Sequence, residues 1–213
     1  LGLSDERPSP FDDNAPHVDH SRLLDEGRRI DEAAAIWGST VPLTGTLAET
    51  YLASRGLSYT GEELRYHQAK RMMVAQMTDA MTGEPCGVHR TYLDGEGGKI
   101  DRKMLGRARR AVVRLAGDCE VTTGLGIAEG IETALASPFR PIWACLSAGT
   151  MKAFPLLPGI ETLTIFADND AAGVGLRAAR ECAERWHASE REVTIRMVDA
   201  VGIDYADVLA EVA

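Results

Sequence analysis

Glu129, Asp168 and Asp170 are the residues of this 213-residue chain whose types and spacing best suit metal-assisted chemistry. Glu129 closes the apolar run Leu125-Gly126-Ile127-Ala128 and is followed at once by Gly130 and the helix-forming stretch Ile131 to Ala136. Asp168 and Asp170 close the run Leu163-Thr164-Ile165-Phe166-Ala167, with Gly173 just beyond. Three carboxylates gathered in one place repel one another unless a cation sits among them. Oxygen donors with no histidine or thiolate nearby favour Mg²⁺ or Mn²⁺ over zinc. Such an ion polarises a phosphate and lowers the pKa of an attacking hydroxyl. Gly130 and Gly173 would let a phosphate-bearing ligand approach the backbone, and the helix N-termini beside them would add N–H donors for anions.

A second group is basic. Between Lys99 and Arg114 stand seven basic residues, Lys99, Arg102, Lys103, Arg107, Arg109, Arg110 and Arg114, against the single acid Asp101. In a chain of net charge −9 that concentration marks a phosphate-binding surface. The competing reading is a solvated basic loop. Arg71 and Arg90 would extend the same surface. His17 and His20 stand three residues apart, but no cysteine or further histidine joins them to make a metal site.

The elements that must position these groups can be read from the pattern. An apolar run of four or five residues ending on a carboxylate, with a helix next, is a buried strand of a parallel sheet and its crossover. Runs at 125–128, 141–146, 161–167 and 193–198 alternate with helices starting near Gly130, Gly149 and Ala171. That alternation is a compact doubly wound α/β unit of about 90 residues, closed by a capped helix at 202–209. In such sheets ligands bind beyond the carboxyl ends of the strands, where all three carboxylates would fall.

The front half differs. Ser21 is placed to cap a helix whose stripe is Leu23, Leu24, Ile30, Ala34 and Trp37. Thr46 and Glu49 form a capping box for a second helix that stops at Gly56. Residues 72–77 and 87–93 flank a hairpin loop, and a third strand covers 111–115. The organisation expected is a flexible lead-in at 1–21, an α+β subdomain with an antiparallel sheet at 22–118, and the α/β unit at 119–213.

Composition narrows the class. With 45% hydrophobic residues the chain can build a sizeable core, and no apolar run approaches 18 residues. With no signal-peptide pattern either, the expectation is a cytoplasmic chain with no membrane partner. Leu1 in place of methionine fits a piece excised from a longer protein. Cys86, Cys119, Cys145 and Cys182 include no Cys-x-x-Cys pair, so neither a zinc ribbon nor a disulfide framework is indicated.

Glu129-Gly130 followed by Asp168-Asn169-Asp170-Ala-Ala-Gly173 resembles the two motifs of the Toprim domain, shared by bacterial-type primases, topoisomerases, small nucleases and recombination proteins. The resemblance implies acid/base or metal chemistry for Glu129 and Mg²⁺ (or Mn²⁺) coordination by Asp168 and Asp170. Glu132 is similar to an acidic residue one turn after that glutamate. Asp204 and Asp207 resemble a late acidic pair, Asp204 as a further metal ligand. The stretches Arg71 to Val74, Gly83 to Arg90 and Lys103 to Leu105 resemble the segment before Toprim in DnaG-like primases of phages, plasmids and integrated elements. The implied activity is a nucleotidyltransferase making short RNA primers from nucleoside triphosphates on single-stranded DNA. Arg71, Arg90, Lys99, Arg102, Lys103, Arg107, Arg109 and Arg110 would hold template and triphosphate. An upstream zinc-binding module and a replicative helicase are the implied partners outside this chain. The alternatives are a metal-dependent Toprim nuclease and a non-catalytic module binding DNA or the replisome. No tyrosine stands in a context suited to a topoisomerase nucleophile.

Overall fold

The computed structural model describes residues 20–198. Nearly all of the expected lead-in, with His17, and the expected helix at 202–209, with Asp204 and Asp207, lie outside the described residues. In chain order the elements are α1 (His20–Gly38), β1 (Val41–Pro42), α2 (Leu47–Ser54), β2 (Leu64–His67), β3 (Met72–Asp79), β4 (Pro85–Leu93), β5 (Lys99–Gly106) and β6 (Ala111–Arg114). After a short 3-10 turn follow β7 (Gly124–Ala128), α3 (Ile131–Ala136), β8 (Ile142–Ala144), α4 (Ala148–Lys152), β9 (Thr162–Ala167), α5 (Val174–His187) and β10 (Glu192–Met197).

The last four strands lie in the order β8-β7-β9-β10 and are all parallel. The strands before them pair antiparallel. The two kinds of sheet are continuous, because β6 pairs antiparallel with β8 through Val113↔Ala144 and Arg114↔Trp143. One edge of β3 carries β4 along its length, and the other carries β2 at Met72–Ala75 and then β6 at Thr78 and Asp79, so the sheet branches there.

Helices cover both faces. On one, α2 and α3 pack over a core that includes Tyr51, Leu52, Met73, Ala75, Ile131 and Phe166. On the other, α1 covers Met72, Val74, Val88 and Leu105, while α4 and α5 cover Leu125, Ile127 and Ile165. The α5 stripe of Ala178, Ala179, Cys182 and Trp186 is fully on that inner side, and Trp186 stacks on Phe154 at 5.9 Å. Burying a side chain of this size contributes about 2–3 kcal/mol. Among the described residues no helix is long and apolar enough to cross a membrane.

Some expectations are corrected. The basic stretch beginning at Lys99, read as lying between strands, is itself strand β5 through Gly106. It is a sheet edge, where charge on the exposed side is favoured, so its strand pattern carries little apolar alternation. Strand β2 and the short β1 were not anticipated. Ser21 lies inside α1 rather than capping it. Leu23 and Leu24 are exposed at 55% and 76%, and the packed stripe is instead Ala33, Ile36 and Trp37.

Candidate functional site

Strand order sets the place of the site. From β7 the chain crosses through α3 to β8 on one side; β9, on the other side of β7, leads through α5 to β10. The winding direction therefore reverses between β7 and β9, which is where open α/β sheets bind ligands. Ala128 pairs with Phe166. Glu129 thus leaves β7 at the same edge where Asp168 and Asp170 leave β9.

Glu129 is half-buried, and burial raises its carboxyl pKa above the usual carboxylate value. Asp168 and Asp170 raise it further by their negative charge, while Arg102 and the backbone N–H of Ala148 act in the opposite direction. Asp168 accepts a hydrogen bond at 2.9 Å from the hydroxyl of Thr133 on α3. Asp170 accepts from the backbone N–H groups of Val174 at 3.1 Å and Gly175 at 2.8 Å, and these bonds hold its pKa low. That is a helix cap, and it explains why α5 begins at Val174 and not at Ala171.

Among the described residues no three His, Cys, Asp or Glu side chains stand close enough to enclose an ion. Mg²⁺ is usually held by one or two carboxylates, with water and substrate phosphate completing the shell, and Glu129 and Asp168 are carboxylates of that kind. The oxygen-only donors fit it too, as does the surplus negative charge felt by Glu129.

Residues 124–213 match the family model described as the Toprim domain. The chain carries a Toprim domain. The front half, residues 27–115, matches a model described as a domain of unknown function, DUF7146. No curated protein matches the chain. Among solved structures it is similar to a crystal structure of a DNA primase domain from Pseudomonas aeruginosa, at 15% identity and a TM-score of 0.48. That match covers 84% of this chain and 54% of the other, so the chain spans about half the length of that structure.

Facing the Toprim carboxylates is the hairpin of β4 and β5, and its pleat sorts the basic residues. Arg102 pairs with Thr91 and Met104 with His89, so these four share the α2/α3 face of the sheet. Lys99 joins them, donating its Nζ to Glu132 of α3 at 3.0 Å. Arg90 and Lys103 point to the α1 face. There Arg90 lies 6.0 Å over the Tyr92 ring and donates to the Met104 carbonyl at 3.3 Å, and Lys103 pairs with Asp101 at 3.0 Å. Arg71 is exposed in the β2–β3 turn with φ +46°, and Arg109 is exposed in the turn before β6. Arg107 and Arg110 are drawn inward to the fully buried Asp79, at 3.0 and 2.8 Å. The structure thus brings Glu129, Asp168, Asp170, Lys99 and Arg102 to one region and spreads the other basic residues elsewhere.

Two residues of the Toprim site were not anticipated. Thr133 orients Asp168, and a threonine in a short helix carries no signal of such a role. A Cβ on Gly175 would stand 2.6 Å from the Asp168 carbonyl, so only glycine lets α5 close on the Asp168–Asp170 loop. Gly173, singled out from the motif, has φ +65° at the start of that helix. Gly130 precedes α3 in an extended conformation and allows the turn from Glu129 into the helix.

Proposed function

We propose that this chain is the RNA-polymerase core of a primase of the DnaG-like kind, joining nucleoside triphosphates into short RNA on single-stranded DNA during replication of a phage, plasmid or other mobile element. The observation that carries this reading is geometric: the pairing of Ala128 with Phe166 brings Glu129 to the sheet edge that bears Asp168, and β5 turns Arg102 to the α2/α3 face of the same sheet. A phosphate-bearing substrate with a divalent cation has the charges that such an arrangement would balance.

Glu129 and Asp168 are the residues that would hold Mg²⁺, with Asp170 shaping the loop between them and α5. Bound there, the ion would polarise the α-phosphate and neutralise charge that develops on it. Arg102 would bind the triphosphate, and the exposed Arg71, Lys103 and Arg109, outside that region, would add positive charge for more distant template phosphates. As the 3′-hydroxyl oxygen attacks the α-phosphorus, its bond to the β-phosphate oxygen breaks and pyrophosphate leaves. The hydroxyl proton passes to solvent, its loss eased by the ion that Glu129 and Asp168 would hold. The rest is positioning and charge neutralisation.

The test uses the full chain with Mg²⁺, labelled nucleoside triphosphates and single-stranded DNA. Primer-length RNA is expected from the wild type and none from Asp168→Ala with an unchanged melting curve. Synthesis retained by Asp168→Ala would refute the assignment. Degradation of the DNA without triphosphates would make the chain a nuclease instead.

A further inference from the structure

Glu132 lies three residues beyond Glu129 and is only 8% exposed. Both of its side-chain partners come from the front half of the chain. Lys99 on β5 reaches its Oε1 at 3.0 Å, and the hydroxyl of Tyr51 on α2 donates to the same oxygen. Burial alone would push this carboxyl up, but Lys99 and Tyr51 outweigh it and bring it down to about 2. Glu132 is therefore a fixed anion, committed to neighbours within the chain.

The register of the hairpin shows how Lys99 comes to be there. Arg102 faces Thr91 and Asp101 faces Tyr92, but Leu93 faces Lys99, which leaves Ile100 as an extra residue on β5. In an unbroken pleat Lys99 would share the α1 face with Asp101 and Lys103. The bulge turns it onto the face of Arg102 instead, and Ile100 is left 67% exposed. Exposing a large apolar residue and interrupting the ladder are both unfavourable, so the local sequence is arranged around where Lys99 must point. On the other side of the contact, the residue after Glu132 is Thr133, which holds Asp168.

We infer that Glu132 is a positioning residue, neither metal ligand nor catalytic, whose buried contact with Lys99 and Tyr51 latches the β4–β5 hairpin onto α3 and holds Arg102 opposite Glu129. The proposal rests on the polymerase reading above for its kinetic test but not for its structural one. Loss of the latch changes where Arg102 stands, so Glu132→Gln and Arg102→Ala remove the same interaction with substrate.

Both are measured as kcat/KM for the nucleoside triphosphate in primer synthesis, singly and combined, beside hydrogen exchange of the β5 amides in the full chain. Each single variant is expected to lose about tenfold, and the double variant no more than the worse single one. In Glu132→Gln the β5 amides exchange faster while those of β9 are unchanged. Tyr51→Phe, which keeps the ring and the Lys99 pair, serves if Glu132→Gln fails to fold, and a loss of about threefold is expected, again absent on top of Arg102→Ala. Losses that multiply in the double variant would overturn the inference, as would unchanged β5 exchange in Glu132→Gln and Tyr51→Phe. If the wild type makes no primer at all, the polymerase reading fails, and β5 exchange alone then decides the latch.

Discussion

Asp79, in the antiparallel half, and Glu129, in the Toprim half, are both carboxylates drawn out of water, and the chain treats them in opposite ways. Asp79 is fully buried and receives Arg107, Arg110 and the backbone N–H groups of Met81 and Thr82. Burial pushes its pKa up, but those donors hold it below the ordinary value. Glu129 has its pKa raised by burial and by two further acids. Structural charge is balanced within the fold, because an uncompensated buried ion destabilises it by several kcal/mol. A site that must take up a cation and phosphate keeps its imbalance until they arrive. Glu132 belongs with Asp79 in this division although it sits one turn from Glu129.

The division is broken or sharpened by substitution. The largest effect is expected at the unbalanced site: Glu129→Gln should lower primer synthesis by at least about 100-fold, on the scale of losing one preorganised electrostatic group, without lowering the urea midpoint. At the balanced site the result reverses. Asp79→Asn leaves Arg107 and Arg110 uncompensated and should reduce unfolding free energy by about 3 kcal/mol in urea titration, while kcat of the remaining folded enzyme stays near wild type.

His89 gives a pH test of the same face. Burial, the main cause, lowers its pKa from 6.5 to about 4. As pH falls the unfolded chain takes up this proton first, so His89-dependent stability is present above pH 6.5 and lost down to about pH 4. The loss is up to about 3 kcal/mol, and His89→Gln should remove it from the pH–stability curve. Glu132 acts in a lower window, between 4.5 and about 2. The smallest effect belongs to Lys103→Ala on the α1 face, where the exposed pair with Asp101 stabilises little. Single-stranded DNA binding should weaken less than threefold, with the slope of log affinity against log salt reduced by about 0.7.

How much was legible in the sequence differed between the two halves for a physical reason. Buried parallel strands are continuous apolar runs, so 125–128 and 161–167 stood out, and the carboxylates and glycines at their ends could be named with them. An edge strand is charged on its open side, so Lys99–Gly106 resembled a loop even though it pairs along its length with β4. Seven basic residues in one stretch showed a concentration of charge but not its division. Alternation, a bulge at Ile100 and one buried acid, Asp79, sent them to three different places.

Residue order alone determined the βα repeats, the acid that ends each strand and the excess of positive charge in the middle of the chain, since these depend on local periodicity and composition. Only the tertiary structure decided that Arg102 faces Glu129, that Arg107 and Arg110 are spent on Asp79, and that Glu132 pairs with Lys99 and Tyr51. Each of those depends on contacts between residues about 30 or more positions apart, and register, which moves a side chain to the other face with a shift of one residue, is fixed only when the whole sheet assembles.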